Sequence, residues 1–266
     1  MSKIQLLVTS MHQKDLELVR KMNISSDVLI ANQADAYEYC KQEVNGNIYE
    51  MVTTATRGTS RNRNIAIACS SPAAEYIMFL DDDLVLHDGY VKIIEEEFLT
   101  HPDAEAIQFN IVSKGYRKLS MKQVASFQKA TMLSVAGNGV WCLAIKRTVL
   151  LEKNIRFNES FGPGTAKYCG EDSIFLQELL KKHVRFYRSQ QYIADIYQTT
   201  STWFEGYNER YFMVSGMALA NVYPLLSRLI VIRSAYRFLK RKTSGMGYFE
   251  ILRCYQKGIQ QELKIR

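Results

Sequence analysis

Three carboxylates in a row follow a strongly apolar run in the first third of the chain. The segment Tyr76-Ile-Met-Phe-Leu predicts a buried strand, and it ends in Asp81, Asp82 and Asp83. In open α/β sheets ligands bind beyond the carboxyl ends of the strands, so we expect these acids at a binding crevice. A divalent cation such as Mg²⁺ or Mn²⁺, bridging to a diphosphate, would neutralise their mutual repulsion. A solvated turn that caps the next helix explains the same residues equally well.

A second candidate binding element is basic. In Arg57-Gly-Thr-Ser-Arg61-Asn-Arg63-Asn64 a glycine-containing loop leads into a predicted helix that carries Arg61 and Arg63 near its start. Helix N-termini bind anions through free N–H groups, and guanidinium groups add bidentate contacts to phosphate. The pattern indicates a diphosphate site, with a solvated basic helix start as the alternative. Arginines here oppose the helix dipole, so they need a compensating partner.

A third candidate element is acidic. Gly170-Glu171-Asp172 places two carboxylates at the predicted N-terminus of a helix, behind a glycine-rich loop. Acidic residues in a first turn are common because they interact favourably with the helix dipole. If this helix lies beside a metal-bound diphosphate, one of these carboxylates can also accept the proton of an incoming hydroxyl group.

The elements that must position these residues follow an α/β pattern. Short β-branched runs alternate with amphipathic segments in the first half, which predicts a sheet with crossover helices. One further helix is expected to be capped by Asp88, with Val91, Ile94 and Phe98 on one face. The predicted strands are Ile4 to Thr9, Val28 to Asn32, Tyr49 to Thr54, Glu75 to Leu80 and Ala106 to Val112, and the predicted helices are Gln13 to Met22 and Ser60 to Ser70.

A second set of elements follows a polar stretch near residues 113–129. From about Trp203 onward the chain is helical, aromatic-rich and basic, so we expect a catalytic domain over residues 1–202 and a helical extension over residues 203–266. The second set comprises a strand Val140 to Ile145, a loop Phe161 to Gly170, a helix Glu171 to Lys182, and strands near Val184 and Tyr192.

Composition places the chain among globular proteins. Of 266 residues, 47% are hydrophobic and 23% charged, which is enough for one large core. Five cysteines, widely spaced and without a CxxC pair, indicate reduced thiols of a cytoplasmic protein. The first residues lack the pattern of a signal peptide, so we do not expect secretion.

The positive charge is concentrated at the end of the chain. Residues 222–266 carry ten Lys and Arg against two Asp and Glu, whereas the whole chain has a net charge of only +7. A basic tail of this kind suits nucleic acid, an anionic membrane or a phosphorylated substrate. It matches no known nucleic-acid-binding module, so nucleic acid is not an expected partner.

Together, and in this order, the motifs resemble the family 2 glycosyltransferases with the GT-A fold, especially bacterial capsule, exopolysaccharide and lipopolysaccharide enzymes, over roughly residues 4–203. The resemblance implies a Rossmann-like nucleotide-binding half fused to an acceptor-binding half on a mixed sheet. It also implies inverting, metal-dependent transfer from a nucleotide sugar, a UDP-sugar, to a polysaccharide or lipid-linked saccharide. The implied cofactor is Mn²⁺ or Mg²⁺.

The resemblance also assigns roles to individual residues. Asp81-Asp82-Asp83 matches the DXD motif, with Asp81 near the ribose or metal and Asp83 a direct metal ligand. Asp172 matches the catalytic base of the ED motif, with Glu171 beside it. The turn at residues 137–139 lies where donor sugar and acceptor meet. The implied donor-binding positions are Thr9, Asn32, Arg57, Arg63, Asn64, Asp81, Asp82 and Trp141.

One position departs from the family pattern. Such enzymes often carry a metal-binding histidine on the late strand, and this chain has Tyr197 there. None of its four histidines is an obvious substitute, so the third metal ligand is open. Two other interpretations of the motifs stand beside the transferase: a sugar-nucleotide pyrophosphorylase, which fits less well without a Lys-containing phosphate loop, and a catalytically silent binding subunit.

The basic tail contains a candidate membrane helix. The run Tyr223 to Lys242 has too many charges to span a bilayer, but its spacing predicts an interfacial helix on an anionic membrane at the cytoplasmic face. Leu226 and Ile230 interrupt the basic side, and a helix packed on the core with solvated arginines is the alternative. The basic side holds Arg233, Arg237, Lys240 and Arg241, and the apolar side holds Leu225, Leu229, Ile232, Tyr236 and Leu239.

Overall fold

The structure, a computed structural model, describes residues 3–114, 121–197, 204, 206–241 and 245–265. Within these residues the chain forms one mixed sheet of ten strands. The strand order is β3-β4-β2-β1-β5-β9-β7-β10-β6, with β8 paired to β10. The strands are β1 (Ile4–Met11), β2 (Asp27–Gln33), β3 (Glu38–Val44), β4 (Asn47–Thr54), β5 (Tyr76–Asp81), β6 (Leu84–Leu86), β7 (Ala106–Ser113), β8 (Gln128–Lys129), β9 (Leu143–Lys146) and β10 (Phe186–Ile196).

The first half of the sheet is the predicted nucleotide-binding arrangement. Strands β4, β2, β1 and β5 are parallel neighbours, and the register places Thr9 opposite Asp81. Most side chains of β1 and β5 are apolar, and they are buried on both faces, as expected of parallel strands covered by helices on each side. The carboxyl ends of these strands therefore meet at one edge, and Asp81 lies on it.

The second half of the sheet contains strands that run against their neighbours. Strand β9 runs antiparallel to both β5 and β7, and β10 pairs parallel with β7. β9 begins at Leu143 rather than at the predicted Val140. The two strands predicted near Val184 and Tyr192 are one strand, β10, with register shifts between Arg188 and Ala194. These irregularities interrupt the hydrophobic pattern of the sequence, so it predicts two strands, but the strand itself continues through them.

A hairpin that the sequence analysis did not predict extends the other edge. Strands β3 and β4 pair antiparallel and are joined by Asn45 and Gly46. Both residues have positive φ, 53° and 79°, as a two-residue hairpin turn of type I′ requires. β3 is polar and exposed, which is why hydrophobic patterning missed it.

Eight helices accompany the sheet in the described residues. They are α1 (Glu17–Lys21), α2 (Thr59–Cys69), α3 (Tyr90–Thr100), α4 (Arg147–Glu152), α5 (Glu171–Lys181), α6 (Glu209–Val222), α7 (Ser227–Arg241) and α8 (Tyr248–Ile265). Helix α1 is much shorter than predicted. The predicted cap of α3 is wrong: Gly89, with φ 77°, precedes the helix, and the carboxylate of Asp88 accepts from Asn23 instead.

The C-terminal helices pack tightly on one another and on α5. A Cβ added to Gly216 would lie 2.3 Å from the Tyr255 carbonyl oxygen, and one added to Gly258 would lie 1.9 Å from that of Met213. Helices α6 and α8 thus touch backbone to backbone. Met217, Ala218 and Val222 of α6 form one buried cluster with Phe161 and Ile174, the latter on α5.

Two features of the C-terminal region remain. The predicted domain boundary at residues 202 and 203, with Trp203, lies outside the described residues, as does Lys242. Among the helices that the structure describes, none combines the length and hydropathy needed to cross a membrane.

Candidate functional site

Asp81, the last residue of β5, is held by three donors from three parts of the chain. Its Oδ1 accepts from the hydroxyl of Thr9 at 3.2 Å and from the guanidinium of Arg63 at 2.8 Å. Its Oδ2 accepts from the indole N–H of Trp141 at 2.5 Å. The side chain is still 30% exposed. Asp81 is therefore oriented by its partners while part of its side chain stays exposed at the carboxyl edge of the sheet.

Arg63 joins the two acidic motifs. Its guanidinium binds Asp81 at 2.8 Å and Oδ1 of Asp172, in the first turn of α5, at 2.5 Å. Arg63 is only 3% exposed and lies over the ring of Phe157. Asp172 and Asp81 raise the pKa of Arg63 against the opposing effect of burial, so it stays charged. One buried cation thus brings together two carboxylates that are 91 positions apart in the sequence.

Asp172 keeps partial access to solvent. Burial raises the pKa of its carboxyl, and Asp81 adds to this, while the Arg63 cation and the backbone N–H of Val140 act in the opposite direction. A carboxylate with a raised pKa is a better proton acceptor than one in water. The geometry and the charge environment of Asp172 both suit a general base.

Glu171, next to Asp172, is more deeply buried. Burial and the neighbouring Asp172 raise the pKa of its carboxyl to about 8. Its Cγ would lie 3.1 Å from a Cβ added to Gly162, so the side chain packs against the loop before α5 rather than facing the crevice. Glu171 and Asp172 therefore occupy different environments although they are adjacent.

One carboxylate oxygen of Asp83 lacks a hydrogen-bond donor among the described residues. Its Oδ1 is buried and has no hydrogen-bond partner within the described parts of the chain. Burial, with Asp81 and Asp82 as like-charged neighbours, raises the pKa of Asp83 to about 7. A buried carboxylate oxygen without a donor is costly unless a cation or proton neutralises it. This is the chemical character expected of a metal ligand.

The described residues do not form a complete metal site on their own. No group of three or more His, Cys, Asp or Glu side chains among them converges on one point. Tyr197, the residue after β10, lies beside these acids, since its N–H donates to the carbonyl oxygen of Asp83 at 3.0 Å. The nearby His87 is already engaged, with its Nε2 2.8 Å from Oδ1 of Asp195. His87 is thus no substitute for the expected histidine.

Three predicted donor-binding residues have other partners in the structure. Asn32 is buried, and its amide binds the Gln13 backbone and the hydroxyl of Thr53. Asn64 binds the backbone of Phe157 and the carboxylate of Glu159, away from the acidic cluster. Arg57 is exposed, and its guanidinium pairs with Asp35. The fold brings Thr9, Arg63, Asp81, Trp141 and Asp172 together. Asn32 lies at the same edge of the sheet, opposite Ser10 of β1, whereas Arg57 and Asn64 contact other groups.

The start of α2 is covered by the loop before α5. The N–H of Thr59 donates to the carbonyl oxygen of Pro163, and a Cβ added to Gly164 would lie 3.0 Å from the backbone of Gly58. The two arginines of α2 have carboxylate partners, Arg61 with Glu159 and Arg63 with the acidic cluster. These partners offset the unfavourable interaction of the two arginines with the helix dipole.

Trp141 is positioned by the turn that precedes it. Gln108, buried in β7, donates to the carbonyl oxygen of Gly139 at 2.7 Å and accepts from the amide of Asn138 at 3.0 Å. A Cβ at position 139 would lie 2.8 Å from the Trp141 ring, so only glycine fits there. The turn thereby sets the direction of the indole N–H toward Asp81.

Sequence reasoning missed Ser10. Its hydroxyl donates to Oδ2 of Asp82 at 2.5 Å and accepts from the amide of Gln13 at 2.8 Å. The signal was present, because β1 and β5 are parallel neighbours and Thr9 pairs with Asp81. The residue after Thr9 therefore has to lie beside Asp82.

Comparison with known proteins identifies the fold. No protein-family model matches the sequence, and no curated protein matches it either. Among solved structures, S. aureus TarS residues 1–349 in complex with UDP-GlcNAc matches at a TM-score of 0.59 and 14% identity, over 82% of this chain and 66% of that one. The same fragment with UDP matches at 0.57 and 13%, over 89% and 72%. A longer TarS structure matches at 0.61 and 13%, over 88% of this chain but only 43% of that one.

The shared architecture is the GT-A-type glycosyltransferase fold. The mixed sheet with its reversed strand, the helices on both faces and the acids at the end of β5 confirm the predicted fold class. The chain spans less than two thirds of the TarS fragment that was solved with UDP-GlcNAc.

Proposed function

We propose that this chain is a glycosyltransferase that moves a sugar from a nucleotide-sugar donor, a UDP-sugar, to a saccharide acceptor with inversion at the anomeric carbon. The observation that carries the proposal is the bridge from Arg63 to both Asp81 and Asp172. It joins an acid at the donor end of the sheet to a carboxylate suited to proton removal. The fold is compatible with this activity, and its TarS neighbours were solved with UDP and UDP-GlcNAc.

The donor is expected at the carboxyl ends of β1 and β5. Thr9, Ser10 and Asp81 line this edge, and Trp141 closes it from the other half of the fold. In open α/β sheets this edge is where nucleotides bind. Arg63 neutralises part of the carboxylate charge there, so the negative diphosphate meets a smaller repulsion.

Mn²⁺ or Mg²⁺ is the proposed cofactor, and the buried unpartnered oxygen of Asp83 fits one. When bound, such an ion would stabilise the negative charge that develops on the departing nucleoside diphosphate. Asp83 is the proposed protein ligand, with Asp81 near the ion. Mg²⁺ is commonly bound by one or two carboxylates together with substrate phosphates and water, so a complete protein cage is not required.

Asp172 is the proposed base. The acceptor hydroxyl would lie between Asp172 and the anomeric carbon, lose its proton to the carboxylate and form the new glycosidic bond as the bond to the diphosphate breaks. Attack from the side opposite the leaving group inverts the configuration. The Arg63 bond fixes the carboxylate of Asp172 in position for this step. The proposed acceptor class is a polysaccharide or lipid-linked saccharide, as in bacterial capsule synthesis.

Donor binding and turnover test the proposal separately. Thermal shift with UDP, UDP-GlcNAc, UDP-glucose and UDP-galactose, each with Mn²⁺, should show stabilisation by UDP and by one of the sugars. UDP release with the stabilising donor then measures turnover. Failure of every uridine nucleotide to stabilise the protein in Mn²⁺ would overturn the UDP-sugar assignment.

Three carboxamide variants identify the base. Asp172→Asn should lower turnover on the order of 10²-fold or more with little change in donor affinity. Glu171→Gln separates the two adjacent acids, and Glu178→Gln on the same helix is the control, since Glu178 is bound to Lys182 at the surface. Near-normal turnover in Asp172→Asn would show that Asp172 is not the base.

A further inference from the structure

Helix α7 exposes more apolar surface than its packing uses. It contacts the core through Ser227, Val231 and Ala235, which are buried and spaced by four residues. A second line of large apolar side chains faces solvent beside this contact. The exposed line comprises Leu225, Leu229, Ile232, Tyr236 and Leu239, which are 92%, 65%, 47%, 51% and 39% exposed.

A row of cations flanks the exposed apolar line. Arg233, Arg237 and Lys240 lie on one side of it at helical spacing, and Arg228 lies on the other. All four side chains are exposed. The helix contains no acidic residue. Within the described parts of the chain, no carboxylate forms an ion pair with any of the four. The outer surface of α7 is therefore both apolar and uniformly positive.

We propose that α7 lies in the headgroup region of an anionic membrane, with its apolar line toward the acyl chains and its cations on lipid phosphates. An amphipathic helix with basic residues beside a lipid-facing apolar side is the pattern of interfacial binding. The helix is already folded and fixed by its buried side. Membrane binding therefore requires no additional ordering of the chain. This inference is independent of the transferase activity.

The charge of α7 also decides between a membrane and a second copy of the chain. Symmetric pairing through the apolar line would bring two uniformly basic helices together, and like charges across an interface oppose association. An anionic lipid surface instead supplies the missing counter-charge for every cation. The interaction should weaken as salt rises, because screening shortens the range of the attraction.

Sedimentation with vesicles tests the proposal on the full chain. The parent protein should pellet with vesicles of phosphatidylglycerol and phosphatidylcholine at low salt, and not with phosphatidylcholine alone. Each cation near an anionic leaflet contributes an affinity factor of roughly five, so Arg233→Gln/Arg237→Gln/Lys240→Gln should weaken binding about 100-fold. Leu229→Ser/Ile232→Ser should weaken it by at least about tenfold.

Matched controls separate α7 from overall charge. Arg253→Gln/Lys257→Gln/Lys264→Gln removes the same charge from exposed positions of α8 and should bind like the parent. Leu99→Ser, at an exposed position of α3, is the apolar control. Equal loss in the α7 and α8 charge variants would overturn the proposal in favour of non-specific attraction. A vesicle-free dimer that Leu229→Ser/Ile232→Ser dissociates would overturn it in favour of self-association.

Discussion

Replacing Arg63 by Met tests whether the acidic cluster depends on one buried cation. The substitution keeps an unbranched side chain over Phe157 and removes both charged contacts, 2.8 Å to Asp81 and 2.5 Å to Asp172. Removing one partner of a fully buried ion pair typically costs about 3–5 kcal/mol. The two carboxylates are 30% and 19% exposed, so water can replace part of the lost interaction. We expect a loss of about 2–3 kcal/mol in the free energy of unfolding at pH 7.

Urea denaturation of four proteins measures this loss and assigns its origin. The set is the parent, Arg63→Met, Asp172→Asn and the double variant. Because Arg63 and Asp172 are in direct contact, the effects of the two substitutions on stability should be coupled by about 1–3 kcal/mol, and the double variant should be more stable than additivity predicts. Arg61→Met is the control. Its exposed pair with Glu159 should contribute less than about 1 kcal/mol.

The stability that Arg63→Met loses should depend on pH. Without the Arg63 cation the pKa of Asp172, already raised by burial, rises further. At low pH Asp172 is protonated with or without the cation, so the missing cation matters less and the stability difference should shrink as the pH falls. Additive losses within about 0.5 kcal/mol, or a difference that does not change with pH, would refute the bridging role of Arg63.

Three further predictions concern other parts of the fold. Asp83→Asn should abolish thermal stabilisation by UDP with Mn²⁺, and survival of that stabilisation in the parent with excess chelator would exclude the metal assignment. Glu171 has a folded-state pKa of about 8 against an ordinary 4.5, so stability from its neutral form is complete below pH 4.5 and is lost as the pH rises toward 8. Glu171→Gln should therefore exceed the parent in stability at pH 9 by on the order of a few kcal/mol and match it near pH 4, as measured by urea denaturation at each pH. Gly258→Ala should lower stability by at least about 1–3 kcal/mol, because its Cβ would meet the Met213 backbone, while Gln260→Ala on the exposed side of α8 should change it little in the same assay.

The parallel strands β1 and β5 were predictable from the sequence because nearly all of their side chains are buried. Strand β1 is buried at every position except Met11, β5 is apolar up to its last residue, and the hydrophobic run ends at Asp81 just where β5 does. Their parallel direction also follows from the pattern of alternating strands and helices. The placement of Asp81 at the crevice could therefore be predicted from the sequence.

Arg63 and Asn64 were predicted to act as a pair, but their side chains leave α2 in different directions. The geometry of a helix requires this divergence. The two residues are consecutive, and consecutive helical residues point about 100° apart. The guanidinium of Arg63 reaches the acidic cluster, and the amide of Asn64 binds the Phe157 carbonyl oxygen and the carboxylate of Glu159. Two residues named as a pair by a motif were separated by the helix that carries them.

The short elements depended on local backbone geometry that hydrophobic patterning does not record. The Asn45-Gly46 dipeptide was a direct signal for the β3–β4 hairpin, and the polar strands around it concealed the signal. Helix α3 begins after a glycine in the left-handed conformation, so no side chain caps it. Long-range side-chain contacts such as Ser10 with Asp82 need the strand register first.

The contact between the loop before α5 and helix α8 has a consequence for how the protein is made. Lys167 in this loop forms a largely buried ion pair with Glu262, 2.6 Å away, and Asn221 also donates to Glu262. Synthesis runs from the N-terminus, and N-terminal parts fold first. The sheet with its row of aspartates can therefore form on a nascent chain while the loop that leads into Asp172 still lacks its partner. A chain arrested before Glu262 would lack the carboxylate that holds Lys167, so this anchor of the loop that leads into α5 would be completed only with the final turns of α8.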